Sequence, residues 1–124
     1  MTPDRFNALY EALSALRVGN IPAGEYDLHT LVARQLTEAG FSPRHEYRLG
    51  PRCRVDFLVE DVALEIKKGR PVARELCRQL ARYCASEEVT AVIVIAQRSV
   101  PLPAAIRGKP VTQLALNRLW GVAL

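Results

Sequence analysis

Between Arg54 and Gly69 the chain reads RVDFLVEDVALEIKKG, and this stretch constrains the fold more than any other. Two apolar-rich runs, Arg54 to Val59 and Val62 to Lys67, flank the acidic pair Glu60-Asp61. Short runs rich in Val, Leu, Ile and Phe on either side of two polar residues predict a β-hairpin with a two-residue turn. That turn sets Val59 against Val62 and Asp56 against Glu65. Side chains alternate faces along a strand, so Ala63, Glu65 and Lys67 share one face while Leu64 and Ile66 take the other. Two carboxylates and a lysine are thereby expected on one surface. Carboxylates placed directly opposite each other repel. A divalent metal with oxygen ligands would offset that repulsion. The competing reading is a solvated face with a salt bridge between an acid and Lys67.

With 124 residues, nearly half of them apolar and about a quarter charged, the chain has the makings of one folded domain. A formal charge of +4 is mildly basic and suits a polyanionic partner without amounting to a basic tail. No apolar run approaches the roughly 20 residues that span a bilayer. The start, MTPDRFNALYEAL, lacks a signal-peptide pattern. A cytoplasmic location with no membrane partner is the expectation. Cys53, Cys77 and Cys84 have no zinc-type spacing and read as small buried side chains in a reducing compartment.

Thr2-Pro3-Asp4 opens a first helix with an apolar stripe at Phe6, Leu9, Leu13 and Leu16, expected to stop near Val18-Gly19. A second helix is predicted from Glu25 or Tyr26 to Ala39, burying Leu28, Leu31, Val32, Gln35 and Leu36, with Gly40 as its stop. Phe41 to Leu49 reads as a turn and a first strand carrying Glu46, broken by Gly50-Pro51 before the hairpin. A third helix is expected over Val72 to Ala85, with Arg74, Arg78 and Arg82 on its exposed faces. Val89 to Ala96, VTAVIVIA, has the composition of a strand covered on both faces. Ala104 to Arg107 reads as a turn of helix, Pro110 to Leu116 as an edge strand, and a short final segment holds Trp120.

The resulting order places a hairpin-bearing sheet, a crossover helix and a buried strand in an α/β sandwich. From the second helix to Ala96, this order and the pattern Asp56, eight intervening residues, then Glu65-Ile66-Lys67 resemble the PD-(D/E)xK nuclease superfamily. Val55 stands where the family's name has Pro. The resemblance implies a restriction-endonuclease-like αβββαβ core, a mixed central sheet flanked by helices, over residues 25 to 96. An added N-terminal helix would occupy residues 1 to 24, and a C-terminal addition residues 97 to 124.

It also implies chemistry. Asp56, Glu65, Glu25 and the Ile66 backbone carbonyl would hold Mg²⁺, with Mn²⁺ as a substitute, and Lys67 would orient or activate the attacking water. Asp27 is a weaker substitute for Glu25, and Glu46 would serve only if its strand turned it inward. Gln79 and Tyr83, four apart on the third helix, resemble a Gln/Tyr pair that some members carry near the lysine and the phosphate. An acid at a helix start is also favoured by the helix dipole alone, and a tyrosine between helix and sheet is ordinary packing. The activity implied is metal-dependent hydrolysis of DNA phosphodiesters in a repair, recombination or mobile-element setting. The alternative is a nuclease-fold module that binds nucleic acid or a protein partner with little or no catalysis.

Arg52, Arg54, Lys68, Arg70 and Arg78 are candidates for the nucleic-acid backbone, with Arg74 and Arg82 nearby, and Arg54 is expected to face Lys67. No recognition helix or zinc finger suggests base reading, so shape or backbone recognition of DNA is expected. A homodimer is compatible with cutting two strands. His29 and His45 read as isolated, and no Walker-type loop suggests ATP use.

Overall fold

The computed structural model of the chain describes residues 1–16 and 25–116; the side chains of Glu25, Tyr26 and Asp27, and all of residues 117–124 including Trp120, lie outside the described residues. Helices α1 (Pro3–Ser14) and α2 (Glu25–Glu38) are followed by strands β1 (Arg44–Gly50), β2 (Cys53–Val59) and β3 (Val62–Lys67). Helix α3 (Ala73–Cys84) leads to β4 (Ala91–Ala96), β5 (Ala105–Ile106) and β6 (Lys109–Ala115). The fold is α/β, with a six-stranded mixed sheet in the order β1-β2-β3-β4-β6-β5 flanked by three helices. Pairing is antiparallel through the β1-β2-β3 meander and parallel from β3 to β4 to β6. Among the described residues, no helix is long and apolar enough to cross a membrane.

Alternation along the strands divides the core in two. Leu64, Ile66, Ile93 and Ile95 point to one face and pack with Leu9 and Leu13 of α1 and Val32 and Leu36 of α2. Ala63, Val92, Val94 and Ala96 point to the other and pack with Leu76, Leu80, Tyr83 and Cys84 of α3. All six residues of β4 are buried, as its β-branched composition requires. Glu65 sits on the α3 face among these apolar groups and is only 2% exposed.

The helix ends follow local chemistry. Thr2 caps α1, its Oγ1 accepting the Arg5 N–H at 3.2 Å. The helix stops at Ser14, short of the Val18-Gly19 expected, with Ala15 closing the last turn through bonds to the Ala12 and Glu11 carbonyls. Helix α2 ends in a Schellman motif. The Phe41 N–H reaches the Leu36 carbonyl at 2.9 Å and the Gly40 N–H reaches Thr37 at 3.1 Å, with Gly40 at φ 91° and Phe41 buried beneath.

Two expectations near the C-terminal end are corrected. Ala104 to Arg107 is not helical: Ala105–Ile106 forms β5, joined to β6 through Arg107 and Gly108, both at positive φ (52° and 75°). Two successive residues of that conformation make a hairpin turn matched to strand twist. The strand expected at Pro110 to Leu116 is β6, and it lies between β4 and β5. Because β5 pairs only Lys109 and Pro110, most of β6 still forms the sheet's edge. There the Gln113 side chain stands in for a further strand, exchanging bonds of 2.9 and 2.7 Å with the Val100 N–H and carbonyl.

Candidate active site

The hairpin turn behaves as the residue pattern demands, with Val59 paired to Val62, Leu58 to Ala63 and Phe57 to Leu64. Beyond Phe57 the ladder departs from ideal register, so Asp56 and Glu65 are not a directly paired position as expected. Instead the Asp56 Oδ2 accepts the backbone N–H of Ile66 at 2.8 Å. The cause is a switch of facing. Phe57 and Val59 pack toward α1 and α2, whereas Val55, which strict alternation would place with them, packs with Leu58 toward α3. On the neighbouring β1, Glu46 takes φ 52°, a conformation that bends an extended strand. The carboxylate of Asp56 thus replaces a strand-to-strand bond and is anchored beside the residue between Glu65 and Lys67.

Glu65 is held from two sides. The Tyr83 hydroxyl of α3 donates to its Oε1 at 2.8 Å, and Lys67 Nζ approaches its Oε2 at 3.1 Å. Burial, reinforced by the charge of Asp56, nevertheless raises the Glu65 carboxyl to about 7 against the pull of Lys67 and Tyr83. Tyr83 is pushed far above its ordinary value by burial and by the neighbouring Glu65. Its oxygen also lies 3.3 Å from the Arg54 carbonyl, tying α3 to β2. The backbone of Lys67 is fixed in turn, since its carbonyl accepts the Gln97 N–H at 3.0 Å at the end of β4.

The structure brings Asp56, Glu65, Lys67 and Tyr83 together, and Gln79 beside them. Gln79 lines two adjoining clefts of about 360 Å³ each. One opens over Lys67, Val72, Glu75 and Leu76, the other over Arg48, Arg52, Cys53, Arg54 and Tyr83, and Arg82 borders both. Of the expected backbone contacts, Arg52 and Arg54 line the second cleft, whereas Lys68, Arg70 and Arg78 are exposed and line neither. Arg54 does not face Lys67: its cross-strand partner is Arg48, and its guanidinium lies 3.8 Å from Glu46. Glu46 accordingly turns outward and takes no part in the carboxylate cluster. Glu25 opens α2, but its side chain is outside the described residues, as is that of Asp27.

His29 and His45 are not isolated. One ring nitrogen donates to the other across 2.8 Å between His29 Nδ1 and His45 Nε2, and His45 stacks on Phe57 with ring centroids 4.7 Å apart. On its other side His29 Nε2 lies 3.6 Å from Asp56 Oδ2. Buried His29 therefore backs the same carboxylate that anchors Ile66. Sixteen residues of sequence separate the two histidines, on a helix and on a strand, so no local spacing signals their meeting. Arg48 is likewise not signalled by the sequence, whereas Arg82, expected among the basic residues near the site, does border both clefts.

All three cysteines are free; Cys84 is buried as expected, whereas Cys53 and Cys77 are only partly buried, and burial raises the Cys53 and Cys84 thiols. Among the described residues, no group of three or more His, Cys, Asp or Glu side chains converges to hold a metal ion. The chain matches no protein-family model, no curated protein and no solved structure.

Proposed function

We propose that the chain is a metal-dependent nuclease hydrolysing DNA phosphodiesters, built on the restriction-endonuclease-like core that its sequence resembles. The observation that carries this reading is the convergence of Asp56, Glu65 and Lys67, with Lys67 lining a cleft that shares Gln79 and Arg82 with an arginine-lined one. A buried glutamate placed among valines and alanines costs free energy unless it is partnered. Here Tyr83 and Lys67 partner it without neutralising the repulsion from Asp56.

Two carboxylates fit a divalent ion of the Mg²⁺ kind, which is usually bound through one or two carboxylates while keeping several waters. Each carboxylate oxygen has two lone pairs, so the bonds from Tyr83 and Lys67 leave acceptor capacity on Glu65. Asp56 and Glu65 would hold the ion, with the Ile66 carbonyl and Glu25 as further candidate ligands. When bound, such an ion screens the phosphate and lowers the pKa of a coordinated water. Lys67 would position the attacking water and offset charge on the phosphate. Tyr83 and Asp56 would act by orientation, one fixing Glu65 and the other the Ile66 backbone.

The test is cleavage of labelled linear, branched and single-stranded DNA with Mg²⁺ or Mn²⁺, comparing wild type with Asp56→Ala, Glu65→Ala and Lys67→Ala. Cutting that needs metal and is lost in all three variants would support the reading. Absence of cutting by wild type on every substrate, with no thermal stabilisation by either metal, would overturn it. The second reading, a module that binds nucleic acid without cutting it, is favoured by the pairing of Lys67 to Glu65, which engages the very amine that catalysis requires. Lys67→Ala separates the two: an enzyme loses cleavage and keeps DNA binding, whereas a binding module shows no cleavage to lose.

A further inference from the structure

The cleft beside the carboxylates collects positive charge in a way that folding alone disfavours. Arg48 and Arg54 are a directly opposed cross-strand pair on β1 and β2, and both line the cleft. Like charges in that arrangement are destabilising. Arg52, in the turn between the same strands, takes φ 57°, a region that costs a non-glycine residue roughly 1–2 kcal/mol. Arg82 approaches from α3. Among the described residues, Arg48, Arg52 and Arg82 have no acidic side chain within salt-bridge distance, and Arg54 has only Glu46 at 3.8 Å. Four arginines therefore line about 360 Å³ of open space, and among the described residues no carboxylate lines it with them. A glycine in the turn and an acid at position 48 or 54 would relieve both costs, so the lining is better explained by an anion from outside the chain.

Guanidinium groups match phosphate geometry bidentately. The cleft adjoins the one over Lys67, and the two share Gln79 and Arg82. We propose that the arginine cleft seats the phosphate neighbouring the one cut, so that a single nucleic-acid strand crosses from Lys67 over Gln79 and Arg82 to Arg48, Arg52 and Arg54. The position of the scissile phosphate rests on the nuclease reading above; the phosphate site in the arginine cleft does not. The strand is held by its backbone, and neither cleft offers a stack of aromatic rings for its bases. On this view Gln79 spans the step between the two phosphates.

The experiment is fluorescence anisotropy of a labelled single-stranded oligonucleotide in EDTA, titrated with the full chain at several salt concentrations. Wild type is compared with Arg48→Gln, Arg52→Gln and their double variant. Arg34→Gln, on the opposite side of the sheet, controls for loss of one charge. Each cleft substitution should weaken binding several-fold and lower the slope of log affinity against log salt by about 0.7, and the double variant by about twice that. Arg34→Gln should leave both nearly unchanged. Equal losses in the control and cleft variants would overturn the site, as would unchanged binding in the double variant, or competition by polyglutamate as effective as by unlabelled oligonucleotide. Cleavage without these losses would defeat the cleft and spare the nuclease. The losses without any cleavage by wild type would do the reverse.

Discussion

The Tyr83 hydroxyl of α3 donates to Glu65 Oε1 at 2.8 Å, linking a helix to the buried acid of the central sheet. The bond lies in the apolar layer between α3 and the sheet, where both groups are almost wholly withdrawn from water. A hydrogen bond to a charged group contributes about 1.5–3 kcal/mol. Tyr83→Phe keeps the ring's packing and removes the donor, so a loss of that size is expected at pH 8, where Glu65 is ionised. At pH 5, with Glu65 protonated, the loss should shrink. Urea denaturation of both proteins at the two pH values would check this, and an equal loss at both would show that the hydroxyl does not serve the carboxylate.

The same carboxylate sets a pH dependence. Folded Glu65 holds its proton up to about 7, against 4.5 for an unperturbed glutamate. Between those values the folded state binds more protons than the unfolded one, so this residue's contribution to stability falls as pH rises. The contribution is fully present below about 4.5 and gone above about 7, and its size is on the order of 3 kcal/mol. Glu65→Gln should abolish that slope. The check is the difference in unfolding free energy between wild type and variant, measured without divalent metal from pH 4.5 to 8. A difference that stays constant would mean that Glu65 ionises normally.

Much of this was legible because the governing signals are local. The two-residue turn at Glu60-Asp61 set the hairpin's register near the turn, and alternation placed Glu65 on one face with Ala63 and Lys67, the face that α3 covers. The runs of β-branched residues marked β4 as central. What escaped depended on departures from regularity or on contacts distant in sequence. The switch of facing at Asp56 replaces an ideal pairing by a side-chain-to-backbone bond, which no residue pattern announces. The opposition of Arg48 to Arg54 follows from the pairing of β1 with β2, whose register shifts between Arg48 and Gly50. The meeting of His29 with His45 requires α2 to be laid across β1. The hairpin of β5 and β6 was missed because its turn puts Arg107, not an Asn or Asp, at positive φ before Gly108.

The two histidines should be energetically coupled. Their hydrogen bond is half-buried, and each ring also contacts Phe57. His29→Ala, His45→Ala and the double variant form a double-mutant cycle in which a coupling of about 1 kcal/mol is expected. Thermal or urea unfolding of all four proteins under one set of conditions gives the number. Strict additivity would show that the contact does not contribute to stability.

Asp56 serves two ends that a pair of substitutions can separate. Its Oδ2 completes the sheet by accepting the Ile66 N–H, and its charge is the one proposed to hold a metal. Asn retains an acceptor oxygen without the charge, whereas Ala retains neither. Asp56→Asn should therefore fold with stability close to wild type while losing metal-dependent thermal stabilisation. Asp56→Ala should additionally lose about 1–3 kcal/mol, because the Ile66 N–H is left without its partner. Melting curves with and without Mg²⁺ decide both points. Equal destabilisation by Asn and Ala would show that charge, not the acceptor, supports the strand.

Arg52 offers a direct test of whether backbone strain is retained for binding. Its φ of 57° suits glycine and costs an ordinary side chain roughly 1–2 kcal/mol. Arg52→Ala keeps that cost and removes the guanidinium, while Arg52→Gly removes both. Glycine gives back part of the gain through the greater freedom of its unfolded chain, so Arg52→Gly should be more stable than Arg52→Ala by up to about 1 kcal/mol. Both should bind a single-stranded oligonucleotide equally weakly, since the lost group is the same. Urea midpoints with anisotropy titrations would measure the two quantities on the same samples. If glycine brings no gain over alanine, the turn is not strained; if either variant binds as wild type does, Arg52 does not contact the strand. A more stable chain that binds less well would mean that position 52 keeps arginine for its charge, at the expense of the turn that carries it.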